Sequence, residues 1–200
     1  MKNSFSRIVL IGSILLFILA IALLSCYEYS RNKARLYQQI DDKLLTSAVG
    51  ASMLLSPEFH DRAIASRAVS AAEDLENIDR LSQFAKTMKV MYVYTVIEKE
   101  GKIRFTSSSA TDEERRTGIR LTRYGDIYDD AGDALRQTFR SGETRFGEYT
   151  DKWGTFRSAF VPVKSPSGAT YVAAADIRID TIHKILQKEA AGLLIRVVVV

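Results

Sequence analysis

Val90-Met-Tyr-Val-Tyr-Thr-Val-Ile-Glu-Lys-Glu-Gly-Lys-Ile-Arg-Phe-Thr-Ser107 decides the fold. Its first part, to Ile97, is rich in β-branched and aromatic residues. Glu98-Lys-Glu-Gly101 reads as a turn, and Ile103 to Ser107 returns as the second strand of a hairpin. A long polar segment from Ser107 to Asp129 then breaks the strand series. A short helix follows from Asp130 to Arg140, with Ala131, Leu135 and Thr138 on one face and Gly142 just past its end. Thr144–Thr150, Phe156–Val163 and Ala169–Ile177 read as three more strands, joined by turns at Asp151-Lys-Trp-Gly154 and Ser165-Pro-Ser-Gly168. Two strands, a helical insert and three strands place the chain in the α+β class, with a five-stranded antiparallel sheet.

Upstream of the hairpin the periodicity is helical. Leu36, Ile40, Leu44 and Ala48 recur on one side of a stretch from Tyr27 to about Ser56, with Arg35, Gln39, Asp42 and Lys43 opposite, and Pro57 closes it. This predicts a long amphipathic helix, which packs either along its own domain or on a second copy in a homodimer. Asp79 to Met88 reads as a further helix through Leu81, Phe84, Ala85 and Met88, and Asp180 as the cap of a last one carrying Ile182, Ile185 and Leu186.

The two ends are apolar. Ile8 to Ser25 carries no charge, and at 1.5 Å per residue it covers most of a hydrocarbon core of ~30 Å. It is longer than the apolar part of a cleaved signal, and no small-residue cleavage site stands before Tyr27. An uncleaved anchor with its N-terminus inside is expected, although Arg31, Lys33 and Arg35 after the span weaken the positive-inside argument. A rival reading takes Leu23-Leu-Ser-Cys26 as a loose lipobox with a lipidated Cys26. Gly192 to Val200 begins a second apolar run, and the chain is expected to continue beyond it. The expected layout is a cytoplasmic N-terminus (1–7), a transmembrane helix (8–27), a long extracytoplasmic helix (28–56), a folded domain (57–180), and an exit helix entering a second span (181–200).

Composition narrows the function. A single cysteine excludes an intramolecular disulfide framework and a cysteine-built metal site. The formal charge of +4 is small, and no basic stripe with interleaved aromatics marks a nucleic-acid binder. His60 and His183, the only histidines, stand in no cluster with metal-ligand spacing. Nucleophile-elbow, P-loop and dinucleotide signatures are missing, so no enzyme, cofactor or metal is expected. The run Asp112-Glu-Glu-Arg-Arg116 reads as a solvated face.

Three stretches resemble the extracytoplasmic Cache (PAS-like) sensor domains of bacterial transmembrane receptors. They are Tyr92-Val-Tyr-Thr-Val with Glu100 to Thr106, Gly147 to Pro162, and Ser167 to Ile177. The resemblance is to a single Cache domain. It implies a PAS-like sheet, a small ligand bound outside the inner membrane, and a cytoplasmic output module such as a histidine kinase, chemotaxis module or diguanylate cyclase. The fuller pocket motif of amine- and amino-acid-binding members is not found, which leaves carboxylates and amines both open. The alternatives are a membrane-tethered or lipidated solute-binding protein, and a dimerisation domain without a ligand.

In such a sandwich the ligand lies between the sheet and the insert, which fixes the candidate site. Tyr92 and Tyr94 share a strand face, and Tyr149 belongs to the second matching stretch. Arg104, with Thr106, alternates with Phe105 and would suit a carboxylate. Asp151 either faces a donor on the ligand or caps its own turn, and Trp153 either roofs the pocket or covers the core. Arg157 and Ser158 point to opposite faces, with Ser158 taken as the ligand-side residue. Asp176 closes Val172-Ala-Ala-Ala175, and a charge in a central strand needs a partner. The resemblance implies that a carboxylate near this place contacts the ligand.

Overall fold

The structure is a computed structural model that describes residues 2–65 and 69–198. Val199 and Val200, the end of the second apolar run, lie outside the described residues. The elements run α1 (Lys2–Leu54), α2 (Pro57–Ile64), α3 (Ala71–Met88), β1 (Tyr92–Lys99), β2 (Lys102–Ser108), α4 (Asp112–Thr117), α5 (Asp133–Ser141), β3 (Arg145–Asp151), β4 (Gly154–Lys164), β5 (Thr170–Arg178) and α6 (Ile179–Val198). The five strands form one antiparallel sheet in the order β2-β1-β5-β4-β3. The expected fold class is therefore observed, with β5 at the centre. Two units divide the chain, 40–182 and the two helical ends 1–39 with 183–200.

Local chemistry explains the elements. β1 and β2 are joined by Glu100 and Gly101, both at positive φ (54° and 70°), the geometry whose twist matches a two-residue hairpin. The helix expected from Asp79 starts two turns earlier, because Ser70 accepts the Glu73 N–H and caps it at Ala71. Pro57 opens α2 as well as following α1: it is the first residue of a helix capped by Ser56. Asp180 lies inside the first turn of α6, beyond the expected cap position, and its carboxylate accepts the Thr181 N–H.

Each sheet face has its own core. One buries Tyr94, Val96, Phe105, Phe156, Phe160 and Val172, covered by α5 and the insert. Tyr171, Ala173 and Ile97 belong to the other, where His60 of α2 stacks on Tyr171 at 3.7 Å. On α1, Leu44, Ala48 and Ala51 are fully buried, as the helical period predicts. Gly50 lets α1 approach α3, since a Cβ there would stand 2.5 Å from Phe84 Cζ. Asp41 of α1 receives Nε and Nη2 of Arg157 from β4 at 2.6 and 2.7 Å, a bidentate pair joining helix to sheet.

From Ile8 to Leu24 nearly all large side chains of α1 are exposed, Phe17 and Leu16 at 68% and 69%. α1 is long and apolar enough to cross a membrane, and no second such helix occurs among the described residues.

His60 is 2% exposed, and neither ring nitrogen has a partner among the described residues. Burial pushes its pKa down from 6.5 to about 4, against a small opposing pull from Asp61. The native imidazole thus stays neutral while the unfolded chain takes up a proton. Stability is complete above pH 6.5 and is lost as pH falls towards 4. His60→Phe removes this loss. Relative to the parent, it gains about 1.4 kcal/mol per pH unit between pH 6.5 and pH 4. Urea midpoints of parent and variant at pH 5 and pH 7 measure the gain, and an equal difference at both would contradict it.

Candidate functional site

Between the sheet and the insert lies a small pocket with about 20 Å³ of free space, room for a single water. Its floor is Tyr92, Tyr94, Phe105, Phe156 and Asp176, contributed by β1, β2, β4 and β5. Glu114, Thr122 and Tyr128 of the insert and Asp151 and Trp153 of the β3–β4 turn close it from above.

Strand alternation decides which side chains face it. In β5, Val172, Ala174 and Asp176 share one sheet face, on which Asp176 reaches the pocket, while Tyr171, Ala173 and Ala175 point to the other. Asp176 is 3% exposed. Its Oδ1 accepts the Ser158 hydroxyl at 2.6 Å and lies 3.4 Å from the Tyr94 and Tyr149 hydroxyls. Among the described residues Oδ2 has only the Tyr149 hydroxyl, at 3.4 Å. Such long contacts are weak, so one oxygen has an unfilled demand. Burial, above all, raises the Asp176 pKa from 3.8 to about 8. The Ser158 hydrogen bond opposes the rise and the charge of Asp151 adds to it.

A tyrosine network spreads from this carboxyl. Tyr149 OH lies 3.2 Å from both Tyr94 OH and Tyr128 OH, and Tyr128 donates to Asp151 Oδ2 at 2.6 Å. Burial lifts all three phenols well above their ordinary pKa, so they are neutral donors at physiological pH. Asp151 also caps its turn, Oδ1 accepting the N–H groups of Trp153 and Gly154. The turn-capping reading of this aspartate is thus observed, and its other oxygen accepts the Tyr128 hydroxyl.

Of the residues expected at the site, Tyr92, Tyr94, Asp151, Trp153 and Asp176 line the pocket. Tyr149 and Ser158 stand just behind it, bonded to Asp176. Arg104 and Thr106 do not come together with them. Phe105 takes the pocket face of β2, which turns its neighbours away. Arg104 Nη1 donates to the Gly125 carbonyl at 3.0 Å, and Thr106 Oγ1 pairs with Thr95 Oγ1 at 2.7 Å. Arg157 is likewise committed to Asp41 and Glu148, outside the pocket.

Seven lining residues are not among those expected from the sequence, Glu114 and Tyr128 among them. Glu114 belongs to the charge run read as a solvated face, yet it is 9% exposed. The capping box with Thr111 fixes it, and Tyr92 OH donates to its Oε1 at 2.8 Å. Tyr128 is brought in because the insert bridges the β2 edge: its N–H donates to the Ile103 carbonyl at 2.8 Å, and Ile127 pairs with Arg104. Thr111-x-x-Glu114 was a legible signal for the first, whereas no local pattern marks the second. The pocket wall holds three carboxyl groups, Glu114, Asp151 and Asp176, and no lysine, arginine or histidine among the described residues.

No family model matches this sequence, and no curated protein matches it. Among solved structures it is similar to the sensor domain of DcuS from E. coli (11% identity, TM-score 0.48, 75% of this chain and 96% of that one). It is also similar to the ligand-binding domain of the Campylobacter jejuni chemoreceptor Tlp3 in complex with 4-methylisoleucine (9% identity, TM-score 0.48, 78% of this chain and 57% of that one). A third is the periplasmic domain of RsbU from Chlamydia trachomatis (13% identity, TM-score 0.39, 80% of this chain and 58% of that one). The chain thus spans little more than half the length of the Tlp3 and RsbU domains. The chain itself has an α+β fold: a five-stranded antiparallel sheet in the order β2-β1-β5-β4-β3, the long helix α1 and an insert over one sheet face.

Proposed function

We propose that this chain is the sensing region of a membrane-tethered bacterial receptor, and that its pocket takes a small ligand through an ammonium group. The carrying observation is the buried carboxyl of Asp176, with one oxygen poorly partnered, in a wall that has three acidic groups and no cation. A carboxylate ligand would meet like charges in a low-dielectric site, whereas an ammonium supplies the missing partner. The neutral phenols of Tyr94, Tyr128 and Tyr149 add acceptor oxygens around it.

The exposed apolar half of α1 would lie in the bilayer, with 40–182 outside it. Asp176 lies three residues before Ile179, the first residue of α6, so a shift of β5 on ligand binding passes directly into the exit helix. A cytoplasmic output module would read that shift, and two copies would pair along α1.

The raised pKa of Asp176 gives the reading a signature. At pH 7 the empty pocket holds a protonated carboxyl, because its pKa is about 8. An ammonium favours the ionised form, so binding releases close to one proton. Affinity should rise about tenfold per pH unit up to pH 8 and then level off. Calorimetry of hexylamine binding to the full chain in lipid nanodiscs, in two buffers of different ionisation enthalpy, measures the proton directly. A binding heat independent of buffer, or tighter binding of hexanoate than of hexylamine, would overturn the proposal.

A further inference from the structure

The pocket over Asp176 admits little more than a water, so a larger ligand must extend beyond it. Thr122 and Trp153 show where. Both line the pocket and also an adjoining open chamber with about 290 Å³ of free space. The chemistry reverses across that wall. The chamber is lined by two cations, Arg120 and Lys152, and by one carboxylate, Asp126, whose Oδ2 already accepts the Arg123 N–H at 2.8 Å.

Neither cation is firmly held. Lys152 Nζ stands 3.8 Å from Asp129 in an exposed pair and 4.4 Å over the Trp153 ring, and exposed pairs of that kind are weak. The Arg120 guanidinium has no ion-pair partner among the described residues. Its backbone is left-handed, at φ 59°, a conformation that costs a non-glycine residue about 1 kcal/mol. The Arg120 carbonyl accepts the Trp153 Nε1–H at 3.2 Å. That hydrogen bond helps to hold the indole between pocket and chamber.

Resting on the ammonium reading of the pocket, we infer that the outer chamber is a second subsite, holding the anionic end of an amphoteric ligand. The ligand class is an ω-amino acid, with ammonium and carboxylate at opposite ends of a flexible chain laid past Trp153. An α-amino acid carries both charges at one carbon and cannot place one on Asp176 and the other beyond the indole. Arg120 suits the carboxylate through its planar fork, and Lys152 supplies a second positive charge.

The test compares 6-aminohexanoate with hexylamine, which differ by the distal carboxylate, on the full chain in nanodiscs by calorimetry. The parent should bind 6-aminohexanoate about tenfold more tightly, the worth of one charge-assisted hydrogen bond. The double variant Arg120→Ser with Lys152→Ser should lose that preference and keep its affinity for hexylamine. Equal affinities in the parent, or a preference that survives in the double variant, would overturn the second subsite and leave the ammonium reading standing. Binding of neither compound would overturn both.

Discussion

Asp176→Asn should lower the affinity for an alkylammonium by about two orders of magnitude, the size expected when a buried charge loses its partner, while making the free protein more stable at alkaline pH. The two effects have one origin. In the native state the Asp176 pKa is about 8 against 3.8 for an ordinary carboxyl. A group whose folded pKa is raised stabilises the protein fully below its unfolded value, and that contribution is lost as pH rises towards the folded one. Between pH 4 and pH 8 the parent therefore loses about 1.4 kcal/mol per pH unit from this residue. Asparagine keeps the shape, accepts the Ser158 hydroxyl and carries no charge, so the variant escapes that loss. Urea unfolding at pH 5 and pH 8.5 measures it: the variant should gain several kcal/mol on the parent at the higher pH. An unchanged stability difference would mean that Asp176 is ionised in the free protein. The same unfolding curves show whether the variant is folded, so that lost binding can be assigned to the pocket.

Phe160→Ala should have the largest effect on stability that leaves the pocket lining intact. Phe160 is fully buried in the core under α5, packs 5.9 Å from the Tyr149 ring, and lies opposite Ala174 across the β4–β5 ladder. Its cross-strand neighbour Ala174, on the same sheet face, is too small to fill the void, so the site collapses poorly. A loss of about 3–5 kcal/mol follows, a large share of the 5–15 kcal/mol typical of a domain. Denaturant unfolding of parent and variant checks it, and a loss under about 1 kcal/mol would mean that Phe160 is less tightly packed than its burial indicates.

Much of the sheet was legible because its strands carry β-branched and aromatic residues between turn residues, and the ladder moved their ends by only a residue or two. Helix starts were harder. The start of α3 is set by the Ser70–Glu73 cap, a single hydrogen bond that hydrophobic periodicity does not register. At the candidate site, strand alternation puts Tyr92 and Tyr94 on the sheet face that lines the pocket, where Asp176 also lies. It also held the information that Arg104 and Thr106 face away, because Phe105, the larger apolar side chain, takes the pocket side. Tyr128 was hidden for a different reason: the insert has no period, and only a long-range bridge to β2 brings that ring under the roof. The charge run at 112–116 misled because composition suggested solvent, while the Thr111 capping box turns one of its members inward.

The most direct test of the central claim is the protonation state of Asp176 with and without an amine. Infrared difference spectroscopy on the full chain at pH 7, with Asp176→Asn as the control, resolves it. A protonated-carboxyl band is expected in the free protein, absent from the variant and lost when hexylamine is added. A band that persists at saturating hexylamine, or one missing from the free protein, would contradict it.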